Sequence, residues 1–179
     1  MARLLLGLYA LVLAASLARP GPQWGLSRLQ RGLCLLLVCL ASCLHQFVFR
    51  IYYVTSHSMV PTLNVRDVVL VWLPSRTPKV GDIVVFGQPA LVKRYIANAG
   101  ESVELLGGEI FIQNQAHPEL PKGGGDWGPH LVKTGHFFAL GDNRNNSDDS
   151  RSRGDFPCDA LIGKAIFRLW PPQAWGRLR

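Results

Sequence analysis

No aspartate or glutamate occurs among the first 66 residues, and that stretch holds two apolar runs, 4–18 and 33–49. A chain that opens this way points to a bilayer before it points to any soluble fold. Each run is short against the roughly 20 residues that span a membrane as helix, unless Leu29 or Ile51 to Val54 extend the second. Between them lies Arg19-Pro20-Gly21-Pro22, followed by Arg28 and Arg31. Pro and Gly break helices, so this segment reads as a turn between two helices. Basic loops stay on the cytoplasmic side, which puts the N-terminus and everything after Phe49 on the outer face. The first run also has the features of a cleaved signal, with Arg3 ahead of it and Ser16-Leu17-Ala18 at its end, or of a presequence. The expectation is a membrane anchor over 1–54, with one or two transmembrane helices, and a separate domain over 55–179.

The charge distribution agrees. Six of the nineteen Lys and Arg lie at or before Arg66, leaving thirteen against all twelve acids, so the net +7 belongs almost entirely to the N-terminal third. Nucleic-acid binders carry their basic excess on the folded domain, and none is expected as a partner here. Cys34, Cys39 and Cys43 sit in one apolar run and Cys158 stands alone, a pattern that suits neither a zinc site nor a disulfide framework.

After Arg50 the pattern becomes that of strands. Val68 to Leu73, Ile83 to Phe86 and Leu91 to Ile96 are β-branched or apolar runs bounded by Pro, Gly and Asp. Val103 to Leu106 and Glu109 to Ile112 flank Gly107-Gly108, whose positive φ suits a two-residue hairpin turn. Further strands are expected near His136 to Leu140 and Leu161 to Trp170. The loop 113–134, with Trp127 and a Gly123-Gly124-Gly125 tip, matches no motif.

Three segments carry chemistry. In Ser56-His57-Ser58-Met59-Val60-Pro61-Thr62, Pro61 keeps Val60 out of a helix, so Ser58 sits at an extended or turning corner. Such a serine is either an ordinary turn residue or a hydroxyl presented to a cleft. Lys93 stands in an apolar strand, sharing a face with Leu91 and Tyr95. It either snorkels to water or is desolvated. Desolvation lowers a lysine pKa, and bringing it from ~10.4 to ~8 takes about 3 kcal/mol, within reach of burial. Only the neutral amine is a base. The third segment, Gly141 to Gly154, is rich in Asp and Asn but lacks the glycine and glutamate positions of a calcium loop, since Ser147 falls at the sixth place from Asp142. His57 lies between two serines, yet neighbours in an extended segment face opposite sides, so neither it nor His136 is expected to serve as a base.

Ser56-x-Ser58-Met59-x-Pro61-Thr62, Lys93-Arg94 and Gly141-Asp142-Asn143-x-x-x-Ser147-x-Asp149-Ser150-Arg151 occur in that order, with Gly81 to Phe86 between the first two. Together they resemble the type I signal (leader) peptidases, over about Thr55 to Pro171. The resemblance implies a mainly β domain of coiled antiparallel sheet, with Ser58 as nucleophile and Lys93 as general base. It also implies an oxyanion hole from the Ser58 N–H and the Ser56 hydroxyl, Ser147 orienting the Lys93 amine, and Asp149 with Arg151 as a supporting ion pair. No metal and no cofactor is implied. Partners would be precursor proteins bearing signal peptides and the lipid bilayer; oligomeric state is left open. Lysine at position 93 sides with the bacterial and organellar branch, since reticulum-type relatives carry His there. A bacterial plasma membrane is favoured over an organelle inner or thylakoid membrane, with the active site on the outer face and exposed residues such as Met59 at the bilayer surface. The alternatives are a specialised Ser/Lys processing peptidase of conjugation or organelle import, a self-cleaving repressor, and a non-catalytic membrane-tethered β-domain.

Overall fold

The computed structural model describes residues 28–75 and 77–178. The apolar run 4–18 and the Pro-Gly turn after it lie outside the described residues. The chain divides into two compact units, 1–46 and 47–179. Of the first, the described part is helix α1 (Arg28–Phe47). It exposes Leu33, Leu36, Leu37, Val38 and Leu40. No helix among the described residues is long and apolar enough to cross a membrane.

The second unit is built on two antiparallel sheets. The larger runs β1 (Phe49–Tyr53), β2 (Val68–Trp72), β11 (Leu161–Trp170), β3 (Ile83–Phe86), β4 (Leu91–Ala97), β9 (His136–Leu140) and β10 (Phe156–Pro157), with β12 (Gly176–Arg177) beside β11. The smaller has the order β7 (Gln115–Ala116), β6 (Glu109–Ile112), β5 (Ser102–Leu106), β8 (Trp127–Leu131). One helical turn, α2 (Ser150–Arg153), follows β9.

The expected mainly β, antiparallel architecture is what the chain adopts, and β2, β3, β4, β9 and β11 fall where their apolar runs predict. Residues 49–53 do not lengthen the helix. They pair with β2, Phe49 opposite Trp72 and Tyr53 opposite Val68. Gly107 and Gly108 turn the β5–β6 hairpin at φ 57° and 79°, with Leu106 opposite Glu109. The uninterpreted loop contributes β7 and β8, and Trp127 packs on Phe138 of β9 with ring centroids 5.1 Å apart.

Two apolar clusters enclose the middle of the large sheet. Ile83 and Val85 join Met59, Leu63, Val69 and Val71 on one face; Val84 and Phe86 join Tyr95, Phe137 and Ala139 on the other. A strand buried on both faces needs no polar alternation, which is why 83–86 reads as a continuous apolar run.

Candidate active site

Ser58 lies on the loop between β1 and β2. The loop closes at its base, where the Val54 N–H donates to the Asp67 carbonyl at 2.9 Å and the Arg66 N–H to the Val54 carbonyl at 2.8 Å. Met59, expected near the surface, is buried at 1% exposure within the cluster beneath this loop. The correction has a simple cause. The Met59 carbonyl accepts from the Leu63 N–H at 2.8 Å, and this turn points both apolar side chains into the core. Ser58, the preceding residue, is itself buried at 6% exposure, and its hydroxyl bonds to Ser56 Oγ at 3.1 Å. Among the described residues the Ser58 N–H has no acceptor within the protein.

Lys93 enters from β4, opposite Val84 of β3. It shares its face with Leu91 and Tyr95, which belong to the aromatic cluster on that side of the sheet. It is therefore desolvated rather than snorkelling, at 4% exposure. Burial pushes its pKa below the usual 10.5, against the pull of Asp149 and Asp148 and with help from Arg153 and Arg151. The amine donates to Ser147 Oγ at 3.0 Å. No direct hydrogen bond joins Lys93 Nζ to the Ser58 hydroxyl, which is turned to Ser56.

The loop after β9 brings the two halves together. The Asn143 N–H donates to the Ser58 carbonyl at 3.0 Å, and the Asn143 side chain to the His57 carbonyl at 3.2 Å. Gly141 lies between them: a Cβ there would sit 2.5 Å from the Ser58 carbonyl oxygen and collide with the Ser147 hydroxyl. Only a glycine lets the Ser58 backbone and Ser147 approach the same residue from both sides. Asp149 caps α2 and accepts from the Gly141 N–H at 3.0 Å, while Arg151 Nε and Nη2 hold its two oxygens at 2.9 and 3.0 Å. Burial would raise the Asp149 pKa, but the bonds from Arg151, Gly141 and Ser147 outweigh it and hold it low.

Comparison with known proteins bears on what such an arrangement belongs to. The profile of the family described as signal peptidase, peptidase S26, matches residues 28–170. The chain belongs to that signal peptidase family. A signal peptidase I from Leptolyngbya laminosa is 37% identical over 159 residues, covering 79% of this chain and 78% of the relative. A probable signal peptidase I-1 from Synechocystis is 35% identical over 177 residues, covering 89% and 90%. A probable thylakoidal processing peptidase 2 from the chloroplast of Arabidopsis thaliana is 36% identical over 137 residues, covering 66% of this chain and 37% of that one.

In this signal peptidase family member the six residues singled out from sequence are not scattered. Lys93 meets Ser147, Ser56 meets Ser58, Asp149 meets Arg151, and Gly141 touches both Ser147 and Ser58. The His57 imidazole is exposed and makes no hydrogen bond among the described residues, and His136 bonds to the Thr134 carbonyl at 3.0 Å. Sequence reasoning gave no role to Arg94 and Asp142. Arg94 Nε and Nη2 donate to the two Asp142 oxygens at 2.7 and 2.6 Å, with the pair almost wholly buried. The signal for it was present: an arginine beside Lys93 on the opposite face of an apolar strand needs a buried anion. Gly124, in the segment 113–134, lies close against Arg144 and Arg151, where a Cβ would meet both side chains.

Proposed function

We propose that this protein is a membrane-attached endopeptidase that removes N-terminal signal peptides from precursor proteins, with Ser58 as nucleophile and Lys93 as general base. The observation that carries the reading is a buried lysine amine with a lowered pKa, hydrogen-bonded to Ser147, on the loop that also grips the Ser58 carbonyl. In the reaction the Ser58 hydroxyl exchanges its bond to Ser56 for one to the Lys93 amine. Lys93 takes the hydroxyl proton as Oγ attacks the scissile carbonyl carbon. The Ser58 N–H and the Ser56 hydroxyl receive the oxyanion, a contribution of about 3 kcal/mol per donor in comparable sites. The ammonium then protonates the leaving amine, and a water deprotonated by Lys93 hydrolyses the acyl-enzyme. Asp149 and Arg151 hold the loop that presents Ser147. No step calls on a metal or cofactor.

The substrate binds as an added extended strand, with shallow pockets for Ala-like residues one and three positions before the cut. One or two anchoring helices are assigned to the apolar runs 4–18 and 33–49, the second ending where β1 begins, and the protease domain to 55–179 together with β1. Supporting this are the basic, acid-free flanks of the runs, the exposed leucines of α1, and exposed Tyr53, Trp170 and Trp175 on the β-unit. The domain is placed on the outer face of a bacterial plasma membrane.

Purified Ser58→Ala and Lys93→Ala variants, each folded, are expected to lose cleavage of an Ala-x-Ala precursor. Normal processing by either would overturn the assignment of that residue.

A further inference from the structure

We propose that Arg168 is a positioning residue for the nucleophile, acting through Asp67 and Thr62; the proposal rests on the reading of Ser58 above. The segment between β1 and β2 contains neither strand nor helix, and is held from within by a few backbone bonds, the Asn64–Asp67 and Ser56–Ser58 contacts and the buried Met59 and Leu63. Lys93, by contrast, is mounted in the centre of the large sheet. Whatever holds the loop therefore decides where Ser58 sits relative to a base that does not move.

Arg168 stands on β11, in register with Val69 of β2. This ten-residue strand also pairs with β3 and β12, and so is a fixed platform. From it Arg168 Nη1 donates to Asp67 Oδ2 at 3.1 Å and Nη2 to the Thr62 carbonyl at 2.9 Å. The same Asp67 oxygen accepts the Asn64 N–H at 2.9 Å. One planar guanidinium thus fixes the neck of the loop and a carbonyl four residues beyond Ser58. Asp67 is buried and Arg168 largely so, which shields the pair from solvent and salt. The rigid fork matters: a lysine in its place is a point charge that can hold one acceptor but not span both.

Arg168 touches neither Ser58 nor Lys93 in this arrangement, so its loss leaves the base intact and misplaces the attacking atom. Misplacement of about 1 Å from a remote change can cost about a hundredfold in rate. The expected pattern is specific. In the full-length protein in detergent, Arg168→Met and Asp67→Asn lower kcat on an Ala-x-Ala precursor by about tenfold to a hundredfold. KM and the pH at which the rate rises stay at their parental values. Arg168→Lys recovers part of the loss, and the Asp67→Asn/Arg168→Met double variant is no slower than the slower single one. All assays run where circular dichroism shows the parent and each variant fully folded.

A kcat for both Arg168→Met and Asp67→Asn within about twofold of the parent, against the expected loss, overturns the proposal. So does a loss carried by KM, or one that disappears on cooling in step with stability. Should Arg168→Met fail to fold, Asp67→Asn and Arg168→Lys decide the matter. Ser58→Ala is assayed alongside: if it retains activity the nucleophile reading fails, whereas an inactive Ser58→Ala beside fully active Arg168 and Asp67 variants defeats only the clamp.

Discussion

Replacing Asp142 by Asn isolates the buried ion pair that joins the Lys93 strand to the loop after β9. Arg94 donates to both Asp142 oxygens at 2.7 and 2.6 Å and to the Gly81 carbonyl at 2.5 Å, with side-chain exposures of 7% and 0% for the pair. Asn preserves the shape but removes the charge and one acceptor. Breaking a buried pair from one side costs about 3–5 kcal/mol, because the remaining charge stays desolvated. The amide oxygen keeps one bond, so the lower end, about 3 kcal/mol, is expected. For a unit of 47–179, each kcal/mol moves the melting temperature by about 3–4 °C. Thermal unfolding at neutral pH should therefore show a drop of about 10 °C. Because the pair is buried, raising salt should change that drop little. The control is Arg94→Met/Asp142→Leu, which removes both members of the pair and should recover part of the loss, the rest persisting because Asp142 is also the main anion facing buried Arg144. A melting temperature for Asp142→Asn within about 2 °C of the parent, or a double variant as unstable as the summed singles, would refute the reasoning.

The remaining predictions concern Lys93 and Gly141. Burial lowers the folded Lys93 pKa below 10.5, so between that lowered value and 10.5 the folded protein binds fewer protons than the unfolded chain. Stability from this group therefore rises with pH across that window, by at most about 1.4 kcal/mol per pH unit, and is lost as pH falls through it. Lys93→Met removes the rise and is more stable than the parent at neutral pH; urea midpoints that track each other at every pH would sink this account. Gly141→Ala forces a Cβ to 2.5 Å from the Ser58 carbonyl and into Ser147. It should cost about 1–3 kcal/mol and abolish cleavage, since neither backbone nor hydroxyl can yield without moving the site. Retained activity in a precursor assay would show that the two sides are less tightly packed than described.

Much of this was legible in sequence, for identifiable reasons. Strands such as 68–72 and 83–86 declare themselves because burial on one or both faces leaves an apolar signature between turn residues. The β5–β6 hairpin follows from two glycines that tolerate positive φ. The short elements β7, β8, β10 and β12 leave no signal, since β7, β10 and β12 are two residues long and β8 is interrupted by Gly128 and Pro129, so none has a periodicity to read. Strand β1 was hidden for a different reason: Phe49–Tyr53 is apolar and continues an apolar run, so only its pairing with β2 separates it from the helix. Met59 was misplaced because it adjoins the candidate Ser58 on a polar segment, which suggests the surface, whereas the turn to Leu63 buries both apolar side chains. Arg94 with Asp142 and Arg168 with Asp67 are separated by 48 and 101 positions, and no local pattern links residues that far apart.

The chemistry turns on a conflict that the surrounding charges resolve. In the proposed mechanism Lys93 must shed its proton, yet Asp149 and Asp148 both favour keeping it. Were Asp149 free, a nearby carboxylate would stabilise the ammonium and idle the base. It is not free: Arg151 occupies both its oxygens and the Gly141 N–H takes another of its acceptor positions. Arg151 and Arg153 also repel the ammonium, and burial, the largest of these effects, prevails. Ser147 then suits the position between them, because a hydroxyl accepts the amine's hydrogen bond without adding the negative charge that would restore its proton. The Asp149–Arg151 ion pair thus helps hold the Lys93 pKa below its ordinary value, as well as bracing the loop.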